Sequence, residues 1–574
     1  MKANQPYIIA AILLVLLSSC AAHRSLPHGT VTAEGSAVHT DVMGRAHVLA
    51  LVHVPAHVPG KRASLFVVPQ LVAADSLLEE YAPQLVDGSI YARKQHRKAV
   101  LDHREETPTH RAAVSGDGAV TLRVGTDIQM PSWVSQASLR AELSTTGCGQ
   151  CYGADTLQLA TIGNWAPLIP LVSASLLQRP FVVRSKVVNG QGEARLQFVV
   201  DKWDIIPTLA DNRAQLDTMA ARLTPIFTDT LATLHSLSIN GAASAEGTYH
   251  HNVMLAENRA SAARQWLVST LNLPRRYLRT IHISAQPEGW EPVLAAMTAA
   301  GCADSVAVRD ILQRYPGADD DLQERYIRRL SCWPEIRDHY LAKDRRVVYA
   351  YSYTLRNFRS DEEMLRLYAS RPDAFNEDEL LRVAALQPTD AERRPIYEYT
   401  LRRYPHSTLA VHNLAVLRME EGQTRAVASL IQHSGAALTD TLRTLLALAQ
   451  AAQGEFSQAE ALLGTAPQTP VMRHTLGTVR ALQGRMAEAD SLLAGCHNAV
   501  AAIVALDLGQ IDKAQSLLDR CADDVRPAVE YARAVCAYRL MRPESEVKRH
   551  LQAARTDEIL ARRIDNENWS MHHE

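Results

Sequence analysis

Apolar residues recur along this chain with three different spacings, and the changes of spacing divide it. The first is an unbroken run from Tyr7 to Leu17. Such a run is too short for a membrane-spanning helix, which takes about 20 residues. Following Lys2, it reads as a signal peptide over residues 1–19. From about Ala46 to Ala160 come short runs rich in β-branched residues: Val48 to Val54, Ser64 to Val72 and Ala119 to Val124. Gly116-Asp117-Gly118 marks a turn among them. A β-rich domain, in the simplest case a sandwich, is expected within residues 20–185. Within it, Arg93 to Lys98 form a basic stretch, read as a solvated strand or loop face rather than a phosphate contact.

Over residues 186–356 strands and helices alternate. Leu196, Phe198 and Val200 predict a half-buried strand. A helix follows, with Asn212 at the cap position and Leu216, Met219 and Leu223 on one face; Pro225 should end or kink it. Leu237 and Ile239 begin a second strand, and Ala256, Ala260, Ala263 and Leu267 line a second helix. Ile281 and Ile283 predict a third strand, and Val347, Tyr349, Tyr351, Tyr353 and Leu355 a fourth with period two. The order βαβ, helical insertion, β describes an α+β domain with helices on one sheet face.

Residues 357–574 read as helical, with a repeat. Small residues at Ala415, Ala447, Gly477 and Ala502 each stand seven before Gly422, Gly454, Gly484 and Gly509. Ala459, Ala489 and Ala514 follow the last three glycines by five. Small residues let two helices approach closely, and glycine turns the chain between them. The pattern resembles the tetratricopeptide repeat, which implies an all-α solenoid. The glycine spacings of 32, 30 and 25 are short of that family's 34.

Composition removes some function classes. With 60 basic against 62 acidic residues, there is no basic domain to favour nucleic acid. Eight cysteines in 574 residues are too few for a disulfide-built scaffold. Cys148 and Cys151 have no second pair for zinc; an oxidised loop staple is the plain reading. Cys302 and Cys332 flank the helical insertion as a further candidate pair, and His250-His251 is read as solvent-exposed. No nucleophile elbow, phosphate loop or metalloprotease helix appears. The expectation is therefore a binding protein with no catalytic residue, cofactor or metal.

Two resemblances sharpen this. Leu17-Ser18-Ser19-Cys20 resembles a bacterial lipobox, which implies lipidation of Cys20 and anchoring to the outer membrane, facing the periplasm. Gly241, Ser244, Gly247, Asn252, Leu255 and Arg259-Ala260 resemble the OmpA-like domain, as does Asp344-Arg345-Arg346-Val347 before the last strand. That family grips the diaminopimelate of peptidoglycan, so the resemblance implies a site built from Ser244, Glu246, Asn252, Arg259 and Arg346. An arginine fork suits the ligand carboxylate. Ser244 stands where the family has an aspartate for the ammonium, which leaves two readings open. One is peptidoglycan docking with a protein partner on the repeats. The other is an envelope assembly scaffold whose site has lost peptidoglycan. The wording around Ser244 and Arg259, residues 85–97 and Gly147 to Cys151 are similar to lipoproteins encoded beside fimbrial genes in Gram-negative anaerobes. That likeness implies fimbrial or envelope partners.

Overall fold

The computed structural model describes residues 24–25, 29–56, 58–74, 76–102, 110–113, 118–147, 152–153, 155–171, 175–199, 201–243, 245–275, 277–287, 289–316, 320–341, 346–464, 469–567 and 569. Cys20, Cys148, Cys151, the Gly116-Asp117 turn, Ser244 and Asp344-Arg345 lie outside them. The chain is multidomain, β-rich toward the N-terminus and helical toward the C-terminus. It divides into two compact units, one of residues up to Gln178 together with Tyr397–Glu574, the other Arg179–Ile396. This differs from the expected boundaries at 185 and 356, for reasons given with each unit.

In the first unit, Arg45–Val54 pairs antiparallel with Val120–Gln129 and with Thr32–Glu34. A second sheet runs in the order Val38–His39, Asp155–Gly163, Gln136–Gly147, Ala63–Ala73, Gln84–Asp87, His110–Ala113. Alternate residues of both sheets, among them Val48, Ala50, Val52, Leu122, Leu65, Val67, Leu139 and Ala141, fill one core. The basic stretch is neither strand nor loop but part of a helix, Ser89–Asp102. Its Ala, Arg, Lys and Gln residues are good helix formers, and no glycine or proline interrupts them.

The helices from Thr408 onward form hairpins, and the repeat residues sit where it placed them. Gly422, Gly454, Gly484 and Gly509 take φ of +71°, +79°, +77° and +73°. Just beyond each, an N–H closes the preceding helix with the same six-residue bond: Gln423 to Arg418 O, Glu455 to Gln450 O, Arg485 to Arg480 O and Gln510 to Ala505 O, at 2.8–3.0 Å. A fifth hairpin, Pro527–Arg539 with Glu544–Ala554, repeats it at Arg542 to Ala537 O. Met541 holds the left-handed position there, at φ +52°. Ala415, Ala447, Ala459, Ala489, Ala502 and Ala514 are fully buried.

The β-domain and these hairpins join because the chain leaving the sheets runs into the helical array. Trp165, Ala166, Leu168 and Ile169 share a core with the hairpin helices. The Asn413 side chain then accepts from Leu177 N at 2.8 Å and donates to Leu177 O at 2.9 Å. Further along, Val42 N–H donates to Leu482 O at 2.7 Å, and Gly484 abuts the carbonyls of His39 and Thr40. His39 Nδ1 lies 2.7 Å from the buried Asp507 carboxylate. Arg563, 0% exposed, donates to the carbonyls of Ser132, Val134 and Asn164. Part of the array's surface is thus covered by the chain's own first domain.

The second unit is built on a sheet in the order Lys186–Ala194, Val347–Leu355, Ala232–Ala243, His282–Pro287, with only the last pair parallel. Helices Asn212–Thr228 and Tyr249–Thr270 bury Leu216, Met219, Leu223, Ala260, Ala263 and Leu267 against Leu237, Ile239, Val347 and Tyr349. The first strand lies earlier than expected. Leu196 and Phe198 are buried but outside the ladder, and Val200 lies outside the described residues. Their neighbour Gln197 pairs instead with Asn212, whose amide accepts from Gln197 N and donates to Gln197 O and Ile206 O. Asn212 is therefore a buried brace inside the helix and not its cap, which is Asp211. The helix passes through Pro225 and ends at Thr228. Residues 357–396, expected among the repeats, belong here because Glu379 of helix Glu377–Leu386 meets Lys186 of the edge strand at 3.1 Å. Burial pulls that ammonium below its ordinary range, against the pull of Glu379, and it also faces the Phe358 ring at 3.7 Å.

Candidate functional site

The motif residues gather at the end of strand Ala232–Ala243. Gly241 is required there, because a Cβ would collide with the Ala256 carbonyl of helix Tyr249–Thr270. The loop turns at Gly247, φ +97°, and the helix starts with Thr248 as cap, its hydroxyl accepting from His251 N. Ala242 is the node: its N–H donates to Arg346 O at 2.9 Å, and its carbonyl faces Arg259 Nη1 at 3.4 Å. Arg259 is buried, its guanidinium 4.6 Å over the Phe198 ring. Asn252, also buried, donates to Gly247 O at 3.2 Å and so braces the loop. Ser244 is outside the described residues.

Glu246 is not the helix cap, which is Thr248. It lies 3.7 Å from Arg328 of the helical insertion. His250 is exposed, and His251, its side chain 40% exposed, meets the exposed Asp201 at 2.6 Å. Among the described residues no cluster of histidine, cysteine, aspartate and glutamate suits a metal.

The insertion supplies what sequence reasoning missed. Its helix Asp320–Ile327 places two carboxylates on the loop's backbone donors. Glu324, buried, accepts from Gly247 N–H at 2.8 Å, and Asp321 accepts from Tyr249 N–H at 2.7 Å. Arg328 holds Glu324 at 2.8 Å. Ala245 of the loop is buried in the insertion's own core with Trp290, Val293, Met297, Ile327 and Ile336. Tyr249 is the first residue of a 22-residue helix and Gly247 stands just before its cap, at the end where unpaired N–H groups and the helix dipole favour an anion. The insertion fills that place with its own anions. A signal existed, since Asp321 and Glu324 are three apart and so share a helix face, but nothing in sequence ties that face to residue 247. Cys302 and Cys332 pack at the edge of the same core as free thiols. Burial, with Asp304 nearby, pushes the Cys332 thiol up.

No protein-family description matches the chain, and no curated protein matches it. One solved structure that aligns is a crystal structure of a Salmonella alpha-2-macroglobulin mutant, at 10% identity and a TM-score of 0.14. The alignment covers 94% of this chain and 27% of that one. A likeness of that strength carries no argument about fold or activity.

Proposed function

We propose that this chain is a non-catalytic lipoprotein of the outer membrane, facing the periplasm, that serves as an envelope assembly scaffold. In this reading Arg179–Ile396 carries an OmpA-like domain, the hairpins from Thr408 onward are tetratricopeptide-like, and Cys20 bears the lipid. The observation that carries it is the pair of insertion carboxylates on the motif loop. Glu324 and Asp321 hold Gly247 N–H and Tyr249 N–H, donors that stand in the loop a cell-wall peptide would engage. Two of the loop's donors are already taken from within, which favours a domain kept for docking to protein over one kept for peptidoglycan. Fimbrial or other envelope proteins are the partners this reading expects.

Peptidoglycan docking is the second reading, favoured by Arg259 and Asn252 at the same strand end. Calorimetry with a diaminopimelate-containing muropeptide separates the two. The scaffold reading expects no heat from the wild-type chain. Saturable binding that Arg259→Ala abolishes would reverse the assignment in favour of the second. The anchor has its own test: Cys20→Ser should abolish labelling by a palmitate analogue and release the protein from the membrane fraction.

A further inference from the structure

The first unit holds a cavity of about 360 Å³ between the β-domain and the last helices, far along the chain from the motif loop. Five aromatic rings line it: Trp133, Trp165, Tyr531, Tyr538 and Trp569. They do not stack. Trp165 and Tyr531 are tilted at 42° with centroids 5.7 Å apart, while Trp569 stands edge-on to Tyr531 at 84° and to Tyr538 at 75°. The rings therefore form walls at angles, and Trp133, Tyr538 and Trp569 are only half-buried.

Polar groups are set among these walls. Tyr531 donates its hydroxyl to the Glu567 carboxylate, 2.7 and 2.8 Å from its two oxygens, so lone pairs remain on Glu567 to accept from a ligand. The Trp569 indole N–H is buried and has no partner, a donor without its acceptor. Gln136 and Arg539, both exposed, complete the rim.

Rings around a carboxylate are also how a protein holds an ammonium group. Here the surrounding charge opposes that. Arg539 lines the cavity, Arg562 lies 4.7 Å over the Trp133 ring, and Arg563 lies 5.7 Å over Tyr531. Three guanidiniums around the cavity's lining oppose a cation. A ligand that fits must offer flat C–H faces to the rings and hydroxyls to the carboxylate, indole and guanidinium. A pyranose with equatorial substituents does both. The volume is at the small end for ligand pockets, which span about 300–1,000 Å³, and suits one or two sugar rings. We propose that this cavity is a saccharide-binding site for β-linked, glucose-type sugars. The proposal stands apart from the reading of the middle unit.

The test titrates cellotriose and chitotriose into the Cys20→Ser chain by calorimetry, with tetramethylammonium as the competing probe. Saturable binding of a trisaccharide in the micromolar to millimolar range is expected. Trp569→Ala should weaken it at least tenfold and Glu567→Gln several-fold. Should Trp569→Ala lower the melting temperature, the exposed Arg539→Ala, expected to weaken binding without touching the core, decides. Saturation by tetramethylammonium alone would overturn the assignment in favour of an ammonium cage. Silence with all three probes, or binding that none of the variants changes, would also overturn it.

Discussion

Arg563→Met tests whether the β-domain and the helical hairpins are one folding unit. The guanidinium is fully buried on helix Glu558–Asn566, and its Nη2 hydrogen-bonds the β-domain backbone. That nitrogen is 2.6 Å from Ser132 O, 3.1 Å from Asn164 O and 3.3 Å from Val134 O. Val134 O keeps a second donor, the Asn164 amide at 2.7 Å, so methionine strands the other two carbonyls. A buried acceptor left without a donor costs about 1–3 kcal/mol, in full for Asn164 O and in part for the half-buried Ser132 O, hence up to about 6 kcal/mol for the two. Some of that returns. Burial already lowers the Arg563 pKa, a sign that the cation is poorly solvated, and removing it relieves that cost. A net loss of about 2–4 kcal/mol is expected. Because the chain has several domains, one unfolding curve is a poor measure. Hydrogen exchange by mass spectrometry on the full chain reads each segment. Exchange should rise together in residues 131–136, 160–169 and 558–566, while Arg179–Ile396 stays unchanged. Faster exchange confined to 558–566 would refute a shared unit, as would a loss below about 1 kcal/mol.

Three further outcomes follow from other contacts. Ala489, fully buried between hairpin helices, should lose about 1–3 kcal/mol on change to leucine by overpacking, read as a lower melting temperature for the first unit. Met541→Gly should stabilise by about 1 kcal/mol in chemical denaturation, since the residue pays for φ +52° with a Cβ while its side chain is 87% exposed. Asp507 beside its ring holds His39 above its ordinary value, although burial works against it. The folded value thus exceeds the unfolded 6.5, so the stabilisation is complete below pH 6.5 and fades as pH rises through the folded value. Melting of the first unit should fall between mildly acidic and alkaline pH, and His39→Gln should flatten that slope.

How much of this was legible in sequence varies with the physics involved. The hairpin turns were, because a left-handed residue selects glycine so strongly that four of them spell the repeat. The fifth hairpin was hidden by Met541. The edge strand Lys186–Ala194 was hidden for the opposite reason. Gly190 and Gly192 leave the rings of Tyr351 and Tyr349 to cover the strand, so its inward positions carry few apolar side chains by which to read the alternation. Leu196 and Phe198 did alternate and are buried, yet an asparagine side chain replaces their ladder. At the candidate site, Gly241, Gly247, Asn252 and Arg259 were legible as local spacing. The insertion carboxylates were not, because a contact across 77 residues leaves no periodic trace.

The route of the chain through the two units has a consequence for the order in which they can be made. The first unit is interrupted after Gln178 and resumes at Tyr397, so the whole of Arg179–Ile396 is a detour within it. A chain that emerges from its N-terminus therefore completes the detour first, and its opening β-sheets wait for helices not yet synthesised. Closing an unstructured loop of such length would cost about 5 kcal/mol in chain entropy. A detour that has already folded brings its two ends to fixed places and removes most of that cost. Early collapse of the middle would then set the pace for everything outside it, and a lesion there would strand exposed strand edges upstream.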